Sequence, residues 1–156
     1  MSGSNEFACG PSKVAQCNQF VEVVNKEKAL SDAFFESQEA FDASGQDESA
    51  LVNLATAAKT YGDEVGAIVE EVAALDLQDE TVIDFQNRYV DSQTQLQEGI
   101  IETANAMEQI GTGQITTSEQ FEALEQQMNE SGTKVTEAEQ EIEAIRTEYT
   151  AYCVEG

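Results

Sequence analysis

Apolar residues recur in alternating steps of three and four along the end of the chain, and glutamate and glutamine fill most positions between them. Nine of the ten positions at this spacing are apolar, where a composition that is 40% hydrophobic would place about four by chance. The ten positions are Phe121, Leu124, Met128, Ser131, Val135, Ala138, Ile142, Ile145, Tyr149 and Tyr152. The pattern predicts a helix over about 117–153 with one buried seam. Thr117 followed by Gln120 matches a capping box at its start.

Three earlier stretches show the same periodicity and predict helices over about 11–41, 47–75 and 78–110. The first has a buried stripe made of Phe20, Val23, Val24, Leu30, Phe34 and Phe41. Gly62 and Gly66 lie inside the second, where they permit either a close approach by a neighbouring helix or a local bend. In the last helix, Gly132 does not shift the apolar phase, so we expect that helix to be bent but continuous.

Four helices of about 30 residues, each about 45 Å long and joined by short loops, predict an all-α fold. We expect an antiparallel up-down-up-down four-helix bundle with left-handed packing, because the apolar spacing averages about 3.5 residues. The bundle is predicted to span residues 11–156 as one domain. Residues 1–10 are interpreted as an expression remnant, in which Gly3-Ser4 and Glu6-Phe7 match common restriction-site dipeptides, followed by a flexible leader.

The placement of two of the three cysteines predicts a disulfide bond. In an up-down-up-down bundle, Cys17 near the start of the first helix and Cys153 near the end of the last lie at the same end. Their bond would stabilise the fold by about 4–5 kcal/mol in the chain-entropy model, and it indicates an oxidising compartment. The alternative is three reduced thiols in a cytoplasmic protein. No Cys-x-x-Cys spacing occurs, so no metal site is predicted.

The remaining cysteine, Cys9, lies in the sequence Ala8-Cys9-Gly10. This short stretch resembles the processing site of bacterial lipoproteins, where a small residue precedes the cysteine that becomes lipidated and N-terminal. The resemblance covers three residues and implies that Cys9 carries a lipid anchor. It implies a location in the periplasm or the thylakoid lumen, with the membrane engaged only through the lipid. The cytoplasm stays the alternative.

The net charge of −24, from 31 acidic and 7 basic residues, limits the partners of the chain. It argues against nucleic acid, whose phosphates need basic residues, and against anionic lipid headgroups. A protein with a basic surface is the partner that this charge favours. No run of about 18 apolar residues occurs, so no membrane-spanning segment is predicted.

The sequence contains no histidine, which excludes histidine-based acid–base catalysis and the Glu-x-x-His di-iron sites of many helical bundles. Acidic turns occur at 42–48 and 76–80, but neither has the ligand spacing of an EF-hand. Phosphate-binding glycine loops and nucleophile elbows are absent. We therefore expect a protein that is not an enzyme and that needs no cofactor or metal.

These observations lead to the hypothesis of a monomeric, exported, lipid-anchored bundle that acts as a binding or assembly factor. Its predicted architecture is similar to that of the small helical lipoproteins that attach to photosystem II in cyanobacteria. A second hypothesis is a carrier that holds a small apolar ligand beside the polar middle of the third helix, with the cavity lined by Tyr89, Ser92, Gln93 and Leu96. A third is an acidic inhibitor that mimics nucleic acid.

Overall fold

The computed structural model describes residues 11–45 and 47–155, and all regular structure in these ranges is helical. The elements are α1 (Lys13–Val24), α2 (Glu27–Ala43), α3 (Glu48–Ala73), α4 (Glu80–Gly111) and α5 (Ser118–Tyr149), followed by a π-helical turn (Thr150–Val154). The predicted all-α helical bundle is confirmed. The predicted leader, residues 1–10, lies outside the described residues.

Four of the helices begin at a side chain that accepts hydrogen bonds from the first turn. Ser12, Asp47, Asp79 and Thr117 are the N-caps of α1, α3, α4 and α5. The capping box that the sequence predicts at Thr117 is confirmed, because the Thr117 backbone N–H donates a hydrogen bond to Oε1 of Gln120 at 3.2 Å. Each such cap stabilises a helix by about 1 kcal/mol, so these residues fix where the helices begin.

The first predicted helix is divided into α1 and α2, so the prediction of one continuous helix over 11–41 is wrong at this point. Asn25 and Lys26 form a tight turn in which the Lys26 N–H bonds to the Val23 carbonyl at 3.1 Å. Bonds of this i→i+3 type tighten and end an α-helix. The Lys26 ammonium group also pairs with Glu71 of α3, which anchors the turn on the bundle.

The largest part of the core lies at one end of the bundle. There the start of α1, the end of α3, the start of α4 and the end of α5 meet, which shows that the helices alternate in direction. The buried residues of this cluster are Cys17, Phe20, Ile68, Val72, Leu77, Val82, Phe85, Tyr89 and Ile145. Towards the other end the core is smaller, with Ala55, Ala58 and Ala104 as its buried members.

Adjacent helices pack closely on three sides of the bundle, where α2 lies on α3, α3 on α4 and α4 on α5. A Cβ atom on Gly62 would lie 2.9 Å from Cγ1 of Ile101, so this glycine permits the close approach of α4 to α3. By contrast, α2 and α5 make almost no direct contact. The bundle is therefore open along the side between these two helices.

Candidate functional site

Both ends of the bundled chain are tied together by a disulfide bond. Cys17 and Cys153 are bonded, with their Cα atoms 6.0 Å apart, and the predicted pairing is confirmed. The alternative of three reduced thiols is wrong for these two cysteines. The Tyr149 hydroxyl donates a hydrogen bond to the Cys17 carbonyl at 3.0 Å beside the bridge. Cys9, the predicted lipidation site, lies outside the described residues.

The apolar seam of α5 consists of two columns of residues that differ in their environment. The inner column faces α4 and is buried, and its members are Leu124, Ser131, Ala138 and Ile145. The outer column is only partly covered or exposed, and its members are Phe121, Met128, Val135, Ile142 and Tyr149. Phe121 is 53% exposed. The outer column thus borders the open side of the bundle, although Val135 also packs beside Gly99 of α4 and Tyr149 packs on Phe20.

We call the open side between α2 and the outer column of α5 the groove. At the disulfide end it deepens into a cavity of about 560 Å³. The apolar wall of the cavity includes Phe20, Val24, Ile142, Ile145 and Tyr149. Its polar wall carries Glu27 and Asp32 from α2, with Lys28 and Arg146 also lining it. The cavity is therefore an apolar site that combines charges of both signs.

The Glu27 carboxylate is held by two side chains of α4. Its Oε2 atom accepts hydrogen bonds from the Tyr89 hydroxyl at 2.8 Å and from Nε2 of Gln93 at 2.7 Å. Burial raises the pKa of Tyr89 far above its ordinary value, and the Glu27 charge adds to the shift. Tyr89 therefore stays a neutral hydrogen-bond donor. The arrangement positions one carboxylate in the wall of the cavity.

Of the four residues that the sequence predicts around a ligand cavity, Tyr89 lines the cavity of the structure. Ser92, Gln93 and Leu96 are buried in the packing of α4 and do not line it. The polar middle of α4 is packed into the bundle, because Gln93 is fully buried and the Ser92 hydroxyl donates to the Arg88 carbonyl at 2.8 Å. Within the described part of the chain, Oε1 of Gln93 has no hydrogen-bond partner.

Sequence reasoning missed Glu27, although its position carried a signal. The apolar stripe of the first predicted helix runs through Phe20 and Val24 and resumes at Leu30. Helical spacing puts a further inward position between Val24 and Leu30, and Glu27 occupies it. A charged residue at a core position indicates a buried polar partner, which here is Tyr89 with Gln93.

Ion pairs connect the helices on the closed sides of the bundle. Lys59 pairs with Glu108 between α3 and α4. Arg88 of α4 contacts Glu141 and Glu148 of α5, and these hydrogen bonds raise the pKa of its guanidinium group. Among the residues that the structure describes, no ion pair joins α2 to α5.

Four acidic residues at helical positions that border the groove form no ion pair in the described part of the chain. Asp32 on α2 lines the cavity, and Glu39 follows it by two helical turns on the same face. On α5, Glu125 and Glu139 are separated by 14 residues, which puts them on one face beside the outer column. Glu139 and Glu27 both add to the raised pKa of Tyr61, for which burial is the main cause.

A metal site and a membrane-spanning helix are two further features that could indicate a function. No group of three or more cysteine, aspartate and glutamate side chains is arranged to hold a metal ion in the described ranges, 11–45 and 47–155. Within the same ranges, no helix has the length and hydrophobicity needed to cross a membrane. The acidic turn at 76–80 has a structural role, because Asp79 caps α4 and accepts the Tyr152 hydroxyl at 3.0 Å.

Comparison with known proteins gives no relative from which a function could be transferred. No protein-family model, curated protein or solved structure matches the chain. The fold and the site define the class as an acidic, disulfide-closed helical bundle with one open groove. Its function is inferred below from the geometry and charge of that groove.

Proposed function

We propose that this protein is a non-enzymatic binding or assembly factor that recognises a partner protein through a basic surface on the partner. The observation that carries the proposal is the distribution of charge. Five of the seven basic residues form ion pairs within the bundle, namely Lys26, Lys59, Arg88, Lys134 and Arg146. Since the net charge is −24, most carboxylates keep their charge available to a partner.

Such a field attracts a basic surface over a long distance and speeds the encounter, while it repels acidic proteins, nucleic acid and anionic headgroups. Electrostatic attraction between exposed charges is screened by salt, over about 10 Å at 0.1 M ionic strength. Binding should therefore weaken strongly as the salt concentration rises.

The Cys17–Cys153 bridge supports a location in an oxidising compartment, either the periplasm or the thylakoid lumen. There a lipid on Cys9 would hold the bundle at the membrane surface, while the negative charge of the body keeps it off anionic headgroups. Mass spectrometry of the N-terminal peptide of the protein from its natural membrane tests this part. A diacylglyceryl thioether on Cys9 supports the anchor, and an unmodified Cys9 preceded by other residues contradicts it.

The binding proposal is tested with the full chain immobilised and exposed to solubilised proteins of its natural membrane at about 50 mM and about 500 mM salt. A retained protein is then purified, and its affinity is measured against salt. The proposal expects stoichiometric binding that falls by at least about tenfold over this range. Salt-independent affinity, or the absence of any stoichiometric partner, contradicts it.

A carrier of a small apolar ligand is the second candidate, and the cavity of about 560 Å³ favours it. Cavities of about 300–1,000 Å³ with apolar and aromatic walls are typical of small-molecule sites. The neutral dye N-phenyl-1-naphthylamine is a suitable probe. The carrier function expects dye fluorescence that is lost in Ile142→Trp, which fills the cavity, and kept in Thr133→Trp on the exposed surface. Equal fluorescence in both variants contradicts it.

The nucleic-acid mimic is less well supported, because the disulfide disfavours a cytoplasmic protein.

A further inference from the structure

We infer that the groove between α2 and α5 is the docking site for an amphipathic helix of the partner protein, with lysine or arginine on both flanks of its apolar stripe. The inference rests on the proposed function and assigns it a surface and a recognition mode. It follows from three features of the groove. The first is its apolar floor, which is the outer column of α5, and the second is its length. The third is the charge of its two banks, which are the faces of α2 and α5 that border the floor.

The floor of the groove is an apolar column without a covering helix. In a closed four-helix bundle both seam columns of a helix are buried, but no residue of the outer column of α5 is fully buried and Phe121 is 53% exposed. Opposite it, α2 has no fully buried residue, and Phe35 is 57% exposed. Exposed apolar residues that continue along one face mark an interaction surface more strongly than scattered ones do.

The length and apolar spacing of the outer column suit contact with an α-helix. The outer column extends from Phe121 to Tyr149, which is about 42 Å at 1.5 Å per residue. Apolar residues follow along it every seven positions, as they do where one helix packs against another. An amphipathic helix in an apolar groove is a common mode of peptide recognition. A long apolar floor of this shape fits such a helix better than it fits a compact ligand.

The charges along the groove specify the flanks of the occupant. Each closed interface of the long helices has a base on one side and an acid on the other, as in Lys59–Glu108 and Arg88–Glu141. The groove has acids on both banks, Asp32 and Glu39 on α2 and Glu125 and Glu139 on α5, and no ion pair of the described residues includes them. Away from the cavity end, where Lys28 and Arg146 lie, the complementary bases must therefore come from the occupant.

Two cations at the disulfide end favour one orientation of the bound partner helix. Lys28 and Arg146 line the cavity there, and the acidic residues of the banks lie further from the disulfide. The C-terminal end of a helix carries partial negative charge, so it is favoured beside these cations. A second copy of the chain is disfavoured as occupant, because its helices carry acids on their exposed faces and would repel the banks.

A synthetic helix tests the inference with the full-length protein. The probe is a fluorescein-labelled peptide of about 24 residues with leucine in the a and d positions and lysine in e and g. One control peptide has the same composition in scrambled order, and another has glutamate in place of lysine. Affinity is measured by fluorescence anisotropy. We expect the patterned lysine peptide to bind at least about tenfold more tightly than the scrambled one, and the glutamate peptide not to bind.

Matched variants of α5 locate the binding surface. Glu125→Gln with Glu139→Gln removes two charges that border the groove, and Glu130→Gln with Glu137→Gln removes two on the other side of the inner column of the same helix. We expect affinity to fall about tenfold in the groove pair and less than about twofold in the other.

Gly132 shares the groove face, and a Cβ there meets nothing within 4 Å. Gly132→Trp should therefore block the peptide, whereas the neighbouring Thr133→Trp should not. Circular dichroism confirms that each variant is folded.

The outcomes separate this inference from the proposed function. If both glutamine pairs weaken the peptide equally, or if the scrambled peptide binds as tightly, recognition uses overall charge and the groove inference is wrong while the proposed function stands. If no lysine peptide binds, recognition of basic surfaces fails and the proposed function is contradicted as well. Sedimentation that shows a dimer, lost in Gly132→Trp, identifies a second copy as occupant and overturns the inference.

Discussion

Tyr149 donates its hydroxyl hydrogen bond to the backbone carbonyl of Cys17 at 3.0 Å, although 132 residues separate the two in the sequence. The same Cys17 is bonded to Cys153, and the Tyr149 ring lies 5.7 Å from that of Phe20. Covalent, polar and aromatic contacts therefore join the start of α1 to the end of α5. They close the bundle at one end, while the rest of the side between α2 and α5 stays open.

Removing the disulfide should cost a large share of the stability. Because the bridge closes a loop with a sequence separation of 136, the chain-entropy model gives about 4–5 kcal/mol. We expect Cys17→Ala with Cys153→Ala, or reduction of the wild type, to lower the free energy of unfolding by about this amount in urea denaturation. Tyr149→Phe, which removes one hydrogen bond, should cost only about 1 kcal/mol. An unchanged urea midpoint after reduction would contradict this assignment.

Two glycines should respond oppositely to alanine. A Cβ on Gly132 has open space, so Gly132→Ala should raise the free energy of unfolding by about 0.5–1 kcal/mol through helix propensity. A Cβ on Gly99 would lie 2.8 Å from Cγ2 of Val135 and 3.0 Å from the carbonyl oxygen of Ser131. Gly99→Ala should therefore destabilise by about 1–3 kcal/mol, because α4 and α5 must move apart. Thermal unfolding of both variants checks the signs, and a stabilised Gly99→Ala protein would refute the close packing.

Asp79 should make the stability depend on pH in the acidic range. The hydrogen bond from the Val82 N–H, assisted by the Tyr152 hydroxyl, holds the pKa of this carboxyl below its ordinary value of 3.8. A lowered pKa in the folded state adds stability above the unfolded pKa, and this stability is lost as the pH falls through the folded value. Wild type should be more stable than Asp79→Asn at pH 6, and the difference should become smaller at a pH below the ordinary value of 3.8. Urea denaturation at both pH values measures it, and a pH-independent difference would exclude a role for the charge.

Glu27 and Tyr89 should be coupled energetically. The Tyr89 hydroxyl donates to Oε2 of Glu27 at 2.8 Å, and hydrogen bonds to charged groups contribute about 1.5–3 kcal/mol. Tyr89→Phe should therefore destabilise the wild type by about this amount but should have a smaller effect in a Glu27→Ala background. A double-mutant cycle by urea denaturation measures the coupling. Additive effects would mean that the hydrogen bond contributes nothing.

The parts of the fold that follow from local chemistry could be predicted from the sequence. The capping box at Thr117 needs only two side chains three residues apart, and it is present. The Cys17–Cys153 bridge follows from alternating helix directions, which short loops between long helices require. For Gly62 the sequence allows either a close approach or a local bend, and in the structure it faces Ile101 of α4 at close range.

The parts that depend on which helix covers which surface could not be predicted. Apolar periodicity shows which face of a helix is hydrophobic, but a half-covered and a fully covered seam have the same pattern. The exposure of Phe121 therefore has no local signal. The sequence also gives no signal for the end of α1 at Asn25, because the segments before and after it both have ordinary helical patterns. Glu27 was the one available indication that the first predicted helix has a polar interior contact.

The central claim, that the open side of the bundle binds a basic helix, is tested most directly by amide hydrogen exchange of the full chain with and without the patterned lysine peptide. In the free protein, α2 should exchange faster than α3 and α4, because it buries no residue fully. On addition of the peptide we predict that protection increases in α2 and in the 121–149 segment of α5. Unchanged exchange in α2 and α5, or protection centred on α3 and α4, would contradict the account.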